Sequence, residues 1–166
     1  MKRRHGFVSN SSSSSFILAF SRKPESAEEL HSWMFPNGPT LIQPYDSCIT
    51  SEQAAKIAFR DISAATPMSR EERVEELGSG TLCDVEVAFP EFPRTQGMSP
   101  EDQRKVWDDY SEAVQVAAEK VADNLETKHP DKLFVRVEYR DNDGSNSCIM
   151  EHGDVFHHIP HVRINN

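Results

Sequence analysis

The sequence predicts an α+β domain: a small, mostly antiparallel sheet packed by helices, one of them long. Three stretches carry that expectation. Residues 16–20, FILAF, are apolar on both sides of an extended chain, which suits a strand at the middle of a sheet. Residues 133–139 alternate, setting Leu133, Val135, Val137 and Tyr139 against Phe134, Arg136 and Glu138, as a strand with one apolar face does. Between them, Trp107, Tyr110, Val114, Ala117, Val121 and Leu125 recur at spacings of three and four, the pattern of a long amphipathic helix.

The elements follow in order. Ser15–Ser21 reads as a buried strand that Pro24 stops. Ser26 with Glu29 forms a capping box and opens a helix from Ala27 to Phe35, with Leu30, Trp33 and Met34 on one face. Pro36, Gly38, Pro39 and Pro44 make a loop. Thr50 or Ser51 starts a second helix, carried by Ala54, Ile57, Ala58 and Ile62. Ser69 with Glu72 is a second capping box, and its helix stops at Gly78. Residues 81–88, TLCDVEVA, alternate imperfectly and read as a strand. Ser99 before Pro100 caps the long helix, which runs to Lys128, and Pro130 closes it. A coiled-coil seam would need a sustained heptad run, and only one is present, so this helix is expected to pack on its own sheet. Asp141-Asn142-Asp143-Gly144 is a turn, and Ser145–Met150 is expected to return as the partner strand of a hairpin. This order suits helices on one face of the sheet, with residues 1–14 a flexible, basic, Ser-rich leader and residues 15–166 a single domain.

The composition excludes several classes. A chain of 166 residues with 37% hydrophobic residues holds one modest core. No apolar run approaches the length of a membrane span. Lys2, Arg3 and Arg4 resemble the start of a secretory signal, but the apolar stretch Phe16–Phe20 is too short to complete one. A transit peptide would need an amphipathic helix, which GFVSNSSSSS does not form. Three separated cysteines, Cys48, Cys83 and Cys148, signal neither a disulfide framework nor a thiolate zinc site, so a reduced, cytoplasmic protein is expected. Charge is lopsided. Residues 1–23 carry five basic side chains and no acidic ones, whereas residues 24–166 carry 13 basic and 27 acidic. Such a body repels phosphate backbones, so direct nucleic-acid binding is not expected. It suits basic partners, and an acidic inhibitor that mimics nucleic acid is one reading of it.

Few motifs carry chemistry. The DNDG turn is not a calcium loop, because Tyr139 and Met150 fall where ligands are required. No nucleophile elbow and no Gly-rich phosphate loop occurs. Cys148 and His152 would lie ~13 Å apart along a strand, beyond a thiol–imidazole hydrogen bond. The last candidate is EHGDVFHHIPHVRI, residues 151–164, which holds four of the seven histidines. His152, Asp154, His157, His158 and His161 are a plausible ligand set for a divalent metal, zinc or iron. With Asp154 capping one helical turn, His157 and His158 share its face. The same residues also read as a plain turn, with Gly153 ending a strand, Phe156 and Ile159 anchored to the core, and the histidines as surface groups.

The opening GFVSNSSSSSF and the closing EHGDVFHHIPHVRI resemble the ends of a loose group of short proteins from bacteria and their phages. That resemblance covers about 20 residues at each end and implies a prokaryotic or phage origin but no activity. Ser9, Asn10, Ser11, Ser12, Ser13, Ser14 and Ser15 have two readings: a linker, or a leader that another protein recognises in extended form, modifies or cleaves. A third possibility is that the basic leader folds back on the acidic body. The sequence therefore points to an accessory or regulatory protein that acts by binding an unidentified protein partner, rather than to an enzyme. A small metal-dependent protein is the alternative.

Overall fold

The computed structural model describes residues 13–83 and 85–165. Its first element, β1 (Ser13–Phe20), is the inner strand that the FILAF run implies. Strand β5 (Leu133–Arg140) pairs antiparallel with one side of β1, and β6 (His161–Asn165) pairs antiparallel with the other. A three-residue strand, β4 (Thr81–Cys83), adds to β6, giving a four-stranded sheet in the order β4-β6-β1-β5. Strands β2 (Leu41–Ile42) and β3 (Ile49–Thr50) form a separate two-stranded ribbon.

The capping signals land where expected. Ser26 caps α1 (Ala27–Met34), Thr50 forms a full capping box at α2 (Ser51–Ala64), and Ser69 forms another at α3 (Arg70–Leu77). Ser99 caps α4 (Pro100–Lys128), with Pro100 in its first turn. Among the described residues no helix is long and apolar enough to cross a membrane.

Helices cover both faces of the sheet, not one. Phe16, Leu18 and Phe20 of β1 face a core shared with α1, α2 and the segment 149–159. Ile17 and Ala19 face a second core shared with α3 and α4 through Val74, Leu77, Ala118, Val121 and Leu125. A strand apolar on both sides requires this, because each side buries its residues against a separate layer.

Three further expectations need correcting. Ser145–Met150 does not return as a strand. After a short 3₁₀ turn (Asp141–Asp143) it forms helix α5 (Ser145–His152). Gly144 does take the positive φ, +98°, that the DNDG turn implies, but the turn feeds a helix that buries Ile149 and Met150 on the even-numbered face of β1. The strand of residues 81–88 extends only to Cys83. The first strand also begins earlier than Ser15: Ser13 pairs with Arg140, and Ser14 with both Tyr139 and Asn165.

Candidate functional site

The serine run ends inside the sheet. Ser14 and Ser15 are both 0% exposed, and alternation sends their hydroxyls to opposite faces. A serine is small enough to sit between larger polar groups at the end of a central strand, and each of these two does so. Ser14 Oγ lies 3.2 Å from Glu151 Oε1 and 2.9 Å from Asn165 Oδ1, and it accepts from Arg163 Nε and Nη2 at 3.2 and 3.1 Å. Its single proton serves one of those two acceptors at a time. Ser15 Oγ accepts from Arg136 Nη2 at 2.9 Å. That guanidinium also pairs with Glu76 at 2.6 Å and Glu138 at 2.8 Å.

Glu151 is the unusual member. It is 2% exposed, and among the described residues Oε2 has no hydrogen-bond partner. His152 Nε2 stands 3.7 Å from that oxygen and 3.1 Å from Asp141 Oδ1. Helix α5 places Cys148 and His152 one turn apart on one face, so the ~13 Å separation expected of a strand is overturned. The ligand atoms of Asp141, Cys148 and His152 all lie within 4.8 Å of one another, and each residue is half-buried. Tyr45 lays its ring against His152 edge-on, with centroids 5.3 Å apart.

Burial first, and then the hydrogen bond to Asp141, hold the Cys148 thiol above its ordinary value. A raised thiol disfavours the thiolate, the form that both attacks an electrophile and binds a metal, so a cation here would have to displace the proton. The three groups offer a sulfur, an imidazole nitrogen and a carboxylate oxygen, a donor set that suits a borderline cation.

The five expected metal ligands are dispersed. His152 faces Asp141 and Cys148. His157 Nδ1 lies 3.5 Å from Asp154, but these side chains are 69% and 74% exposed. His158 is exposed and meets only the edge of the His157 ring among the described aromatic contacts. His161 belongs to β6, where Nδ1 donates to the Ile159 carbonyl at 2.8 Å and the ring lies against Phe16 and Phe156. Sequence reasoning missed Asp141, Cys148 and Glu151 because it read Ser145–Met150 as a strand. The i, i+4 spacing of Cys148 and His152 was the available signal. Of the seven recognition-leader residues, Ser9, Asn10, Ser11 and Ser12 lie outside the described residues, and Ser13 begins β1.

No protein-family model, curated protein or solved structure matches the chain.

Proposed function

We propose that the protein binds a zinc-class divalent ion through Asp141, Cys148 and His152. The observation that carries this reading is the close set of three ligand atoms beside a buried carboxylate oxygen with no donor among the described residues. In a tetrahedral zinc site with metal–ligand bonds near 2.0–2.1 Å, neighbouring nitrogen and oxygen ligands sit about 3.3 Å apart. The Asp141–His152 separation of 3.1 Å is close to that edge length. A buried carboxylate is costly unless positive charge or donors compensate it. Among the described residues Glu151 has a single serine hydroxyl as donor, and a cation held by the neighbouring His152 would add to it. Three protein ligands would leave a fourth position open to an exchangeable water.

Cobalt(II) and zinc titrations of the full-length chain test this. Cobalt should bind one ion per chain and give a thiolate-to-metal absorption band that Cys148→Ser removes. At zinc about 100-fold above Kd, unfolding free energy should rise by about 2.7 kcal/mol in the wild type. His152→Gln and Cys148→Ser should lose that gain while keeping the wild-type circular dichroism. Glu151→Gln should weaken zinc binding yet leave the metal-free protein as stable or more so, because it removes an under-compensated buried charge. Unchanged zinc affinity in Cys148→Ser and His152→Gln sinks the reading.

A further inference from the structure

Helix α4 outruns the domain. Residues 117–125 carry its buried positions, whereas none of residues 100–116 is buried. That arm is about 25 Å long at 1.5 Å per residue. The apolar stripe nevertheless continues along it through Val114, Tyr110 and Trp107, in line with Ala117, Val121 and Leu125. Phe92 comes down from the preceding loop, edge-on to Trp107 at 5.0 Å and to Tyr110 at 5.7 Å, yet stays 70% exposed. Three aromatic rings thus cluster on the arm, where none of the helix's residues is buried.

Helix α3 shows what is missing. It runs antiparallel to α4: Arg70 bonds Asp123, Arg73 pairs with Glu126, and Gly78 approaches Val114. It therefore covers the C-terminal half of the stripe and ends where the arm begins, as the chain leaves for β4. A groove of about 490 Å³ opens at that junction, with Val74, Gly78, Tyr110 and Val114 in its lining. Glu71, Glu75 and Glu119 also line it, and the one cation there, Arg70, is tied to Asp123 at 2.7 Å. The arm itself holds five acidic residues against two basic ones.

We propose that this groove and arm dock a basic amphipathic helix from a partner protein, lying in line with α3 and extending its packing beyond Gly78. The shape calls for a helix, because α3 already packs on the same stripe with helix-on-helix geometry. The charge calls for lysine and arginine on its polar face. A second copy of this face is a poor occupant, since it would bring acidic surfaces together. Trp107 is the expected energetic anchor, as a tryptophan at the centre of such a patch usually is.

Fluorescence anisotropy with a labelled amphipathic peptide of about 16 residues tests this, leucines on one face and lysine and arginine on the other. A charge-reversed isomer, with glutamate for each basic residue, is the control. The full-length chain should bind the basic peptide saturably, about tenfold or more tighter than the isomer, and more weakly at high salt. Trp107→Ala and the pair Glu71→Lys/Glu75→Lys should each lower affinity about tenfold while circular dichroism and unfolding midpoint stay near wild type. Trp107 and the two glutamates lie outside the buried core, so these variants should fold. Equal binding of both peptides, or affinity unchanged in both variants, overturns the proposal. Concentration-dependent self-association of the wild type that Trp107→Ala abolishes assigns the face to a second copy and overturns it too. A synthetic peptide of residues 1–12 that displaces the basic peptide at equal concentration makes the chain's own basic segment the occupant, which also overturns it.

Discussion

The two faces of the sheet end differently at adjacent serines. On the odd-numbered face Ser15 meets a network of paired charges: Arg136 holds Glu76 and Glu138, and Arg140 holds Glu138 from its other side at 2.8 Å. On the even-numbered face Ser14 meets an under-supplied one. Arg163 reaches Ser14 and Asn165, and among the described residues Glu151 keeps one oxygen without a donor. Identical side chains, one residue apart on one strand, therefore serve opposite ends. One is an added contact to a guanidinium that already pairs with two carboxylates. The other is the hydroxyl that connects a buried anion to a cation. The proposed cation site lies on the even face, where the buried carboxylate of Glu151 has one serine hydroxyl as its donor among the described residues.

The largest test removes each hydroxyl in turn. Ser14→Ala takes away the single donor to Glu151 among the described residues and should cost about 3 kcal/mol, the scale of a buried charge that loses its partner. Ser15→Ala leaves Arg136 its two carboxylates and should cost about 1 kcal/mol or less. Urea unfolding of the two variants, metal-free, measures the gap. Equal losses would erase the distinction between the faces. Zinc should restore part of the Ser14→Ala deficit and none of the Ser15→Ala deficit.

A smaller effect separates the faces by pH. Burial by itself would raise the Glu138 carboxyl, but the bonds from Arg140 and Arg136 outweigh it and hold the group below its ordinary value. A carboxylate depressed in the folded state adds stability above its unfolded value and loses it as pH falls. The odd-face network should therefore hold at neutral pH and weaken progressively below about pH 4.5. Glu138→Gln should cost about 1 kcal/mol at pH 7 and progressively less as pH falls below about 4.5. A difference between variant and wild type that stays constant from pH 7 to pH 3 would show that the network's charges contribute nothing.

What was legible follows the same physical line. Four helix starts were readable because a side chain caps each one: Ser26, Thr50, Ser69 and Ser99. Helix α5 was not, because Gly144 stands at its cap position without a side chain, and Ser145, Asn146 and Ser147 favour turns over helix interiors. Burial of Ile149, Met150 and Glu151 makes that helix, and burial is a tertiary fact that local spacing does not carry. Strand β6 was readable in hindsight. Val162 and Ile164 alternate with His161 and Arg163, but the histidines drew attention to ligand chemistry instead. The missed helix hid the site with it, since Cys148 and His152 meet only at helical spacing.

The smallest expected effect separates the two histidine readings most cleanly. His157 and His158 are exposed, on a turn held by Phe156 and Ile159, whose side chains are buried. Their rings meet each other with centroids 4.9 Å apart, and the neighbouring carboxylate, Asp154, is itself mostly in solvent. A solvent-facing pair gains little from folding, so the double variant His157→Ala/His158→Ala should change stability by less than about 0.5 kcal/mol. Its zinc affinity should stay within about twofold of wild type, because His152 on α5 is the histidine that faces Asp141 and Cys148. Loss of zinc binding in that double variant would move the site out of the helix and onto the turn. The even face would then keep its uncompensated carboxylate, and the contrast between Ser14 and Ser15 would describe packing alone.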